Sequence, residues 1–314
     1  MSDKKIIAVA GATGAQGGGL VRAIQADTNG PFRARAITRN PDSDAAQALA
    51  ALGAEVVQGD LDDPDSLERA FSGAHGAYCV TFYWAHMSPE REASDARNLA
   101  AAAQRENVQH VVWSTLEDTR KWVPIESDQM PTIERKFKVP HFDIKGEADA
   151  AFDKPRTTFF LTSFYWDNLI GFGMNPKPDG QGGYLFTLPT GDAKMPGIAA
   201  EDIGKCAYGV FKEGAPLLGK TVGVAGEHLS GAEMAATLSD VLGINVRHHA
   251  ASPEEFRSYG FPGADDLGNM FQFKRDFEAA FRGARNLETS RRLNPELLTF
   301  RQWVEQNKER IPLT

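Results

Sequence analysis

The sequence predicts an α/β fold, in which a doubly wound parallel sheet is followed by a smaller α+β C-terminal region. Two observations predict it. Short apolar runs alternate with helical patterns through the first half of the chain, and a glycine-rich loop directly follows the first run. Buried parallel strands are continuously apolar, and the helices that connect them cover both faces of the sheet.

The elements of this sheet follow in order along the chain. The first strand is expected at residues 6–10, where an apolar run ends at Gly11, and its helix places Leu20, Val21 and Ile24 on one face before stopping at Asn29-Gly30. Further strands are predicted at residues 32–38, 55–60, 77–81 and 108–114. Helical patterns between them predict helices at residues 45–52, 64–71 and 93–106.

The alternation of strand and helix patterns becomes less regular in the second half of the chain. A polar, proline-containing loop is expected at residues 121–140, then a helix at 142–152 and a sixth strand at 157–163. Shorter elements are expected beyond the proline- and glycine-rich stretch 174–183: strands at 184–188 and 221–225, and helices at 231–242 and 300–309. We expect two domains: residues 1–165 hold the sheet, and residues 166–314 form the other wall of a cleft, although some of their segments can return to the first domain.

Composition narrows the class of protein. The 314 residues carry a formal net charge of −8, which argues against nucleic acid or an anionic membrane as the partner. Cys79 and Cys206 lack the spacing of a metal or redox motif, and no metal site is predicted. The chain opens without a signal-peptide pattern and has no membrane-spanning apolar stretch, so we expect a cytoplasmic protein.

The glycine-rich loop predicts a dinucleotide site of the Rossmann type. It reads Gly-Ala-Thr-Gly-Ala-Gln-Gly over residues 11–17, after a strand and at the start of a helix. Glycines there allow a tight turn, close approach of pyrophosphate and close packing of the helix, whose N-terminus attracts the phosphates. The alternative is a plain strand-to-helix turn.

Arg39 predicts NADP rather than NAD. An NAD site places an acid about 20 residues after the glycines, at the end of the second strand. Here that strand ends Thr38-Arg39-Asn40, and a guanidinium binds a 2′-phosphate through charge-assisted hydrogen bonds. The alternative for Arg39 is a solvated loop residue.

Longer motifs add a resemblance to a family. The segments GATGAQGG, ITRNP, AEVVQGDLDD, HFDIKGE and LPTGD, followed by FPGADDLGNMFQF and LNPELLTFRQWVEQNK, cover nearly the whole chain. In this order they resemble the NmrA-like branch of the atypical short-chain dehydrogenases, and in particular its animal members described as cellular NADPH sensors.

The resemblance implies a set of NADP contacts. They are Gly11, Ala12, Thr13, Gly14, Ala15 and Gln16 at the phosphates, Arg39 and Asn40 at the 2′-phosphate, Asp60 and Leu61 near the adenine, Thr81, Phe82 and Tyr83 along the ribose and nicotinamide, and Lys145, Tyr165, Trp166, Asp167 and Asn168 at the nicotinamide end. Core packing is the alternative for Tyr83, Trp84, Tyr165 and Trp166.

The catalytic residues of short-chain dehydrogenases are only partly present. The resemblance places Ser114 at the family's serine and Lys145 at its lysine, but His141 stands where the tyrosine belongs. A histidine can act as a general acid near neutral pH, or it can simply be a loop residue that caps the helix. The pair Tyr208 and Lys212 has the family's spacing, but we expect it to be accidental and to lie in a surface helix.

Two hypotheses for function remain at this point. The missing tyrosine favours a redox sensor or regulator that responds to NADPH and NADP+. The alternative is an NADPH-dependent reductase of a small carbonyl or quinone-like substrate, with Lys145, Ser114 and His141 as the candidate catalytic residues. Beyond NADP(H), the partner is left open between a protein, a second copy of the chain and a small-molecule substrate.

Overall fold

The computed structural model describes residues 4–313, and its centre is a parallel sheet of seven strands. These strands are β1 (Lys5–Val9), β2 (Phe32–Thr38), β3 (Glu55–Gln58), β4 (Gly76–Cys79), β5 (His110–Thr115), β6 (Thr157–Leu161) and β11 (Thr221–Gly223). Their spatial order is β11-β6-β5-β4-β1-β2-β3. The order reverses between β1 and β4, and open α/β sheets bind ligands at the carboxyl end of such a reversal.

Helices cover both faces of this sheet, as expected of a doubly wound fold. The helices in the first half are α1 (Ala15–Ala26), α2 (Asp44–Ala51), α3 (Pro64–Phe71), α4 (Pro89–Arg105) and α5 (Pro140–Ala148). One apolar core joins the sheet to α1, with Leu20 and Val21, and the other joins it to α3 and α4, with Leu67 and Leu99. Burial of both faces explains why the strands read as apolar runs.

The C-terminal region holds two small sheets and the remaining helices. Its strands outside the main sheet are β7 (Phe164–Tyr165), β8 (Lys177–Pro178), β9 (Tyr184–Thr187), β10 (Met195–Ile198), β12 (Glu227–Leu229) and β13 (Val246–His249). Its helices are α6 (Asn168–Gly171), α7 (Ala200–Glu213), α8 (Gly231–Leu242), α9 (Pro253–Ser258), α10 (Ala264–Asp276), α11 (Glu278–Gly283), α12 (Leu287–Leu293) and α13 (Phe300–Asn307). A third apolar core lies among them.

Two segments after residue 166 return to the main sheet. Strand β11 pairs in parallel with β6, with Val222 opposite Phe160, and the connecting helix α7 packs against α1. The expectation of a surface position for the helix that carries Tyr208 and Lys212 is therefore wrong. Tyr208 is buried in the core, and its hydroxyl donates to Asp27 at 2.7 Å.

The fold class is confirmed, and most predicted elements lie within a few residues of the observed ones. The outermost positions of the two predicted domains, residues 1–3 and 314, lie outside the described residues. Within residues 4–313, no helix is long and apolar enough to cross a membrane.

Candidate functional site

A cleft of about 1430 Å³ lies between the carboxyl end of the main sheet and the C-terminal region. Most of the predicted site residues line it: Gly11, Thr13, Gly14, Ala15, Gln16, Arg39, Asn40, Asp60, Leu61, Thr81, Phe82, Tyr83, Ser114, His141, Lys145, Tyr165 and Asn168. They come from the ends of β1 to β5, from α5 and from the segment after β6. The chain topology therefore brings together residues that are far apart in sequence.

The glycine loop is held in a shape that larger residues would disturb. Gly11 has a φ of +63°, a conformation that favours glycine. A Cβ atom on Gly17 would lie 2.4 Å from the carbonyl oxygen of Gly11, so the helix can approach the loop this closely only without a side chain. Helix α1 starts at Ala15, and its first-turn N–H groups face the cleft.

The three arginines of the β2 segment have different environments. Arg33 and Arg35 both pair with Glu55 at 3.1 Å. Arg39 is exposed beyond the strand end, lines the cleft beside Asn40, and makes no ion pair with any of residues 4–313. Its guanidinium is thus available to an anion at this end of the cleft.

Asp95 is an acidic residue of the cleft wall that the sequence analysis missed. Asp95 on α4 lines the cleft with Asp60 and Leu61, and its Oδ1 is buried without a hydrogen-bond partner among residues 4–313. Burial, with the nearby Asp62 second, raises the pKa of Asp95 to about 6. A buried acceptor without a donor suits a ligand that brings one, such as the exocyclic amine of adenine. The sequence did contain a signal for Asp95, because an acidic residue on the buried face of an alanine-rich helix indicates a functional role.

Gln16 connects the glycine loop to three strands. Its Oε1 accepts hydrogen bonds from the hydroxyls of Ser114, at 2.8 Å, and Tyr78, and its Nε2 donates to the hydroxyl of Tyr165. Burial raises the pKa of Tyr78 and of Tyr165, so both phenols stay protonated at neutral pH. Ser114 is therefore engaged by the loop.

Lys145 is fixed in the middle of the cleft by two partners. Its Nζ donates to Thr81 Oγ1 at 2.5 Å and lies 3.0 Å from Glu92 Oε1 and 5.0 Å from the centre of the Trp113 ring. Glu92 is only 1% exposed and also accepts a hydrogen bond from Thr81. Sequence analysis missed Glu92 because it lies on another helix, α4. The contacts with Thr81 and Glu92 fix the position of the Lys145 ammonium group.

His141 lies inside helix α5 rather than in a loop, with its ring held on both sides. Its Nδ1 is 2.6 Å from Asp266 Oδ1, and its ring centre is 4.8 Å from that of Trp84. Asp266 belongs to α10, far along the chain, and was also missed. A histidine with a carboxylate partner is oriented for proton transfer or binding at its other nitrogen.

Three of the residues predicted to contact NADP, Ala12, Trp166 and Asp167, do not line the cleft. Trp166 is buried in the C-terminal core against Phe300 and Trp303, and Asp167 Oδ2 accepts a hydrogen bond from the backbone of Ala200 at 2.8 Å, where α7 begins. Ala12 is fully buried beneath the loop.

The far end of the cleft is an aromatic chamber that the sequence analysis did not foresee. We use this name for the part of the cleft wall formed by Phe142, Phe164, Phe256, Tyr259, Phe261, Leu267, Met270, Phe271, Lys274 and Phe281. Helix α10 contributes four of these residues, and the rings of Phe164 and Phe256 both pack on that of Phe271. Such a wall accommodates a flat apolar ligand.

The arrangement of possible metal ligands gives no candidate metal site among the described residues. Within the part of the chain that the structure describes, no group of three or more His, Cys, Asp or Glu side chains is placed to hold one. His248 instead contacts the backbone of Leu188, and His249 pairs with Glu255.

A parallel sheet of this order, with a glycine loop and helix N-terminus at the reversal, defines a dinucleotide-binding protein of the Rossmann class. The model of the NmrA-like family matches residues 3–305, so the chain belongs to the NmrA-like family and the resemblance is confirmed.

Known proteins are similar along most of the chain. The NmrA-like family domain-containing oxidoreductase FrzB of Cladobotryum sp is 29% identical over 85% of this chain and 83% of its own. The solved structure of NmrA, a negative transcriptional regulator, in complex with NADP has a TM-score of 0.75 at 23% identity and covers 97% of this chain and 95% of its own. The Citrobacter sp. triphenylmethane reductase complexed with NADP(H) has a TM-score of 0.72 at 21% identity and covers 96% and 99%.

Proposed function

We propose that this protein is an NADPH-dependent oxidoreductase that reduces a small aromatic carbonyl or quinone-like compound. The observation that carries the proposal is the continuity of the cleft. It runs from Arg39, past Lys145, into the aromatic chamber, so one cavity offers a place for the dinucleotide and a second place for a substrate.

The residues at the first end fit NADP(H). The loop from Gly11 to Gly17 leaves room for pyrophosphate at the start of α1, Arg39 offers an uncommitted cation for the 2′-phosphate, and Asp95 offers an acceptor to the adenine. Lys145, between Thr81 and Glu92, would hold the hydroxyls of the nicotinamide ribose. When bound, NADPH supplies a hydride to the substrate.

The relatives support an enzyme. FrzB is named an oxidoreductase, and the Citrobacter protein is a reductase complexed with NADP(H). In this chain, Lys145 and His141 line the cleft between the dinucleotide end and the aromatic chamber, where a proton must be supplied as the substrate is reduced. His141, which Asp266 orients, is our candidate for the donor of that proton.

A sensor is the second candidate, and one specific observation favours it. His141 stands at the position of the family's tyrosine, and its imidazole ring is shorter than a phenol, so the family's usual proton donor is missing. In addition, NmrA itself is described as a negative transcriptional regulator. In this alternative, NADPH and NADP+ occupy the cleft without turnover and change how the protein associates.

A titration followed by a substrate screen tests the proposal. Isothermal titration with NADPH and NADP+ measures occupancy, and the absorbance of NADPH measures its oxidation in the presence of quinones, aromatic aldehydes and enones. Oxidation that requires both protein and substrate supports the enzyme. Tight binding of NADPH without oxidation by any of these compounds would replace it with the sensor.

A further inference from the structure

A buried lysine lies inside the aromatic chamber. Lys274 on α10 is 6% exposed and lines the cleft. Its Nζ lies 5.3 Å from the centre of the Phe281 ring, 5.5 Å from Phe142 and 5.6 Å from Phe271. Ring faces stabilise an ammonium group, but they provide no negative charge. Among residues 4–313, the Nζ of Lys274 makes neither an ion pair nor a hydrogen bond.

Arg285 and Glu117, which lie near Lys274, and the charged groups of the helices packed against α10 already have partners. These pairs are Arg285 with Glu117 at 2.6 Å, Arg282 with Glu278 at 2.6 Å, His141 with Asp266 at 2.6 Å and Lys145 with Glu92 at 3.0 Å. Asp143 accepts hydrogen bonds from Thr119 and from the backbone of Lys138 and Val139. A protonated Lys274 is therefore an uncompensated positive charge in an apolar wall, which is costly for a protein to hold.

We propose that the aromatic chamber contains an anion-binding subsite, in which Lys274 binds the carboxylate or another acidic oxygen of an aromatic ligand. The proposal rests on the proposed function and names the class of its substrate, an aromatic compound with one negative charge. The rings of Phe142, Phe271 and Phe281 contact the apolar body, and the ammonium group of Lys274 pairs with the anion.

Charge balance is the main reason for this choice of ligand. With Lys274 protonated, the cluster of Lys274, Arg285 and Glu117 has one positive charge in excess, and a single anion neutralises it. Burial, with the nearby Arg285 second, lowers the pKa of Lys274 to about 7 in the empty chamber. An anion raises that pKa again, so the charged form is favoured when the ligand is present.

Binding of 2-naphthoate and of its neutral amide tests the subsite. Isothermal titration of the full chain at pH 7, with and without saturating NADP+, should show tighter binding of 2-naphthoate than of 2-naphthamide. Lys274→Met keeps much of the side-chain volume and should weaken 2-naphthoate binding by about 10- to 100-fold, the effect of losing a charged hydrogen bond. Binding of 2-naphthamide should change little.

Lys136→Met is the matched control. Lys136 is exposed and also lies over a ring, 5.0 Å from the centre of Phe137, but it is outside the cleft. Its replacement should leave both affinities unchanged. Equal 2-naphthoate affinity in wild type and Lys274→Met would overturn the subsite, as would a preference of the wild type for the amide.

The pH dependence of 2-naphthoate binding provides a second readout, with Lys274→Met as its control. Only the protonated lysine pairs with the anion, so the affinity for 2-naphthoate should fall roughly tenfold from pH 6 to pH 8, through the pKa of Lys274. The affinity for 2-naphthamide should be constant, and in Lys274→Met the affinity for 2-naphthoate should also lose this pH dependence. A flat profile for 2-naphthoate would also overturn the subsite.

The failure of this subsite can be distinguished from the failure of the proposed function. If NADPH binds and neutral quinones are reduced while 2-naphthoate fails these tests, only the subsite is wrong. If NADPH does not bind to the wild type, the proposed function itself is wrong.

Discussion

Arg39 is the single residue on which cofactor choice depends. Replacing it with alanine removes the cation that we expect to bind the 2′-phosphate. Affinity for NADPH should fall by about 10- to 100-fold, while affinity for NADH, which lacks that phosphate, should hardly change. Isothermal titration with both cofactors measures the two effects.

Arg33 provides the matched control for this substitution. It is an exposed arginine of the same strand, but it is already paired with Glu55. Arg33→Ala should leave both affinities as they are. Equal losses for NADPH and NADH in Arg39→Ala would mean that the residue supports the fold rather than the phosphate.

Lys145 pairs with the buried Glu92 and is also expected to bind the nicotinamide ribose. A single substitution would affect both the stability of the fold and cofactor binding. In Lys145→Met, the buried Glu92 loses its cation, and the free energy of unfolding should fall by about 3–5 kcal/mol. The double variant Lys145→Met/Glu92→Gln removes the stranded charge and should recover much of that loss. Urea unfolding measures both. Full stability in the single variant would contradict the ion pair.

The same double variant tests whether Lys145 takes part in the reduction or only binds the cofactor. If Lys145 takes part in reduction, kcat for an accepted substrate should fall by more than the affinity for NADPH falls. If Lys145 only holds the ribose, the loss should be confined to NADPH binding.

Individual residues of the site were predictable to different degrees. Gly11 and Arg39 could be placed because their role depends on neighbours in the sequence: a strand before, a helix after, and a missing acid. Asp266 and Glu92 could not, because each becomes relevant only when another helix brings it to His141 or Lys145. Side-chain partners across helices are a property of the tertiary structure.

At the scale of elements, the junction between the glycine loop and α1 is the most sensitive point. A Cβ atom on Gly17 would lie 2.4 Å from the oxygen and 2.8 Å from the carbon of the Gly11 carbonyl, so Gly17→Ala must displace the loop or the helix. Binding of NADPH and NADH should fall together, by at least about tenfold, since the pyrophosphate is common to both. Titration of the folded variant measures this.

Gly283→Ala in α11 is the control for that substitution. A Cβ atom at Gly283 would meet no atom within 4 Å, so the change adds a methyl group in open space. Cofactor affinity should stay at the wild-type value. If Gly17→Ala bound both cofactors as tightly as Gly283→Ala does, the loop would not be the phosphate site.

Elements were predictable where both type and partner follow from the local pattern. The strands β1 and β5 are largely apolar segments next to helices, a pattern that favours a parallel sheet. The short strand β11 could not be assigned to a sheet, because three residues carry no information about which edge they join. The prediction that α7 lies at the surface was wrong for a similar reason: the local pattern does not show that α7 packs against α1, which is far away in sequence.

At the scale of the whole molecule, occupancy of the cleft should stabilise the fold. The cleft is lined by the main sheet and by the C-terminal region, so a bound dinucleotide adds contacts that the unfolded chain lacks. At a hundredfold excess over Kd the stabilisation is about 2.7 kcal/mol. The melting temperature should rise clearly more with NADPH than with the same concentration of NADH. Equal shifts would contradict an NADP site.

The most direct measurement of the central claim is a single turnover of NADPH bound in the cleft. The wild type, in excess over NADPH, is mixed rapidly with an aromatic quinone or aldehyde, and the loss of NADPH absorbance is followed. We predict a decay that requires the protein and whose rate saturates with substrate concentration, because the substrate must first occupy the aromatic chamber. Decay at the protein-free rate for every compound, while NADPH remains bound, would contradict an oxidoreductase and favour the sensor.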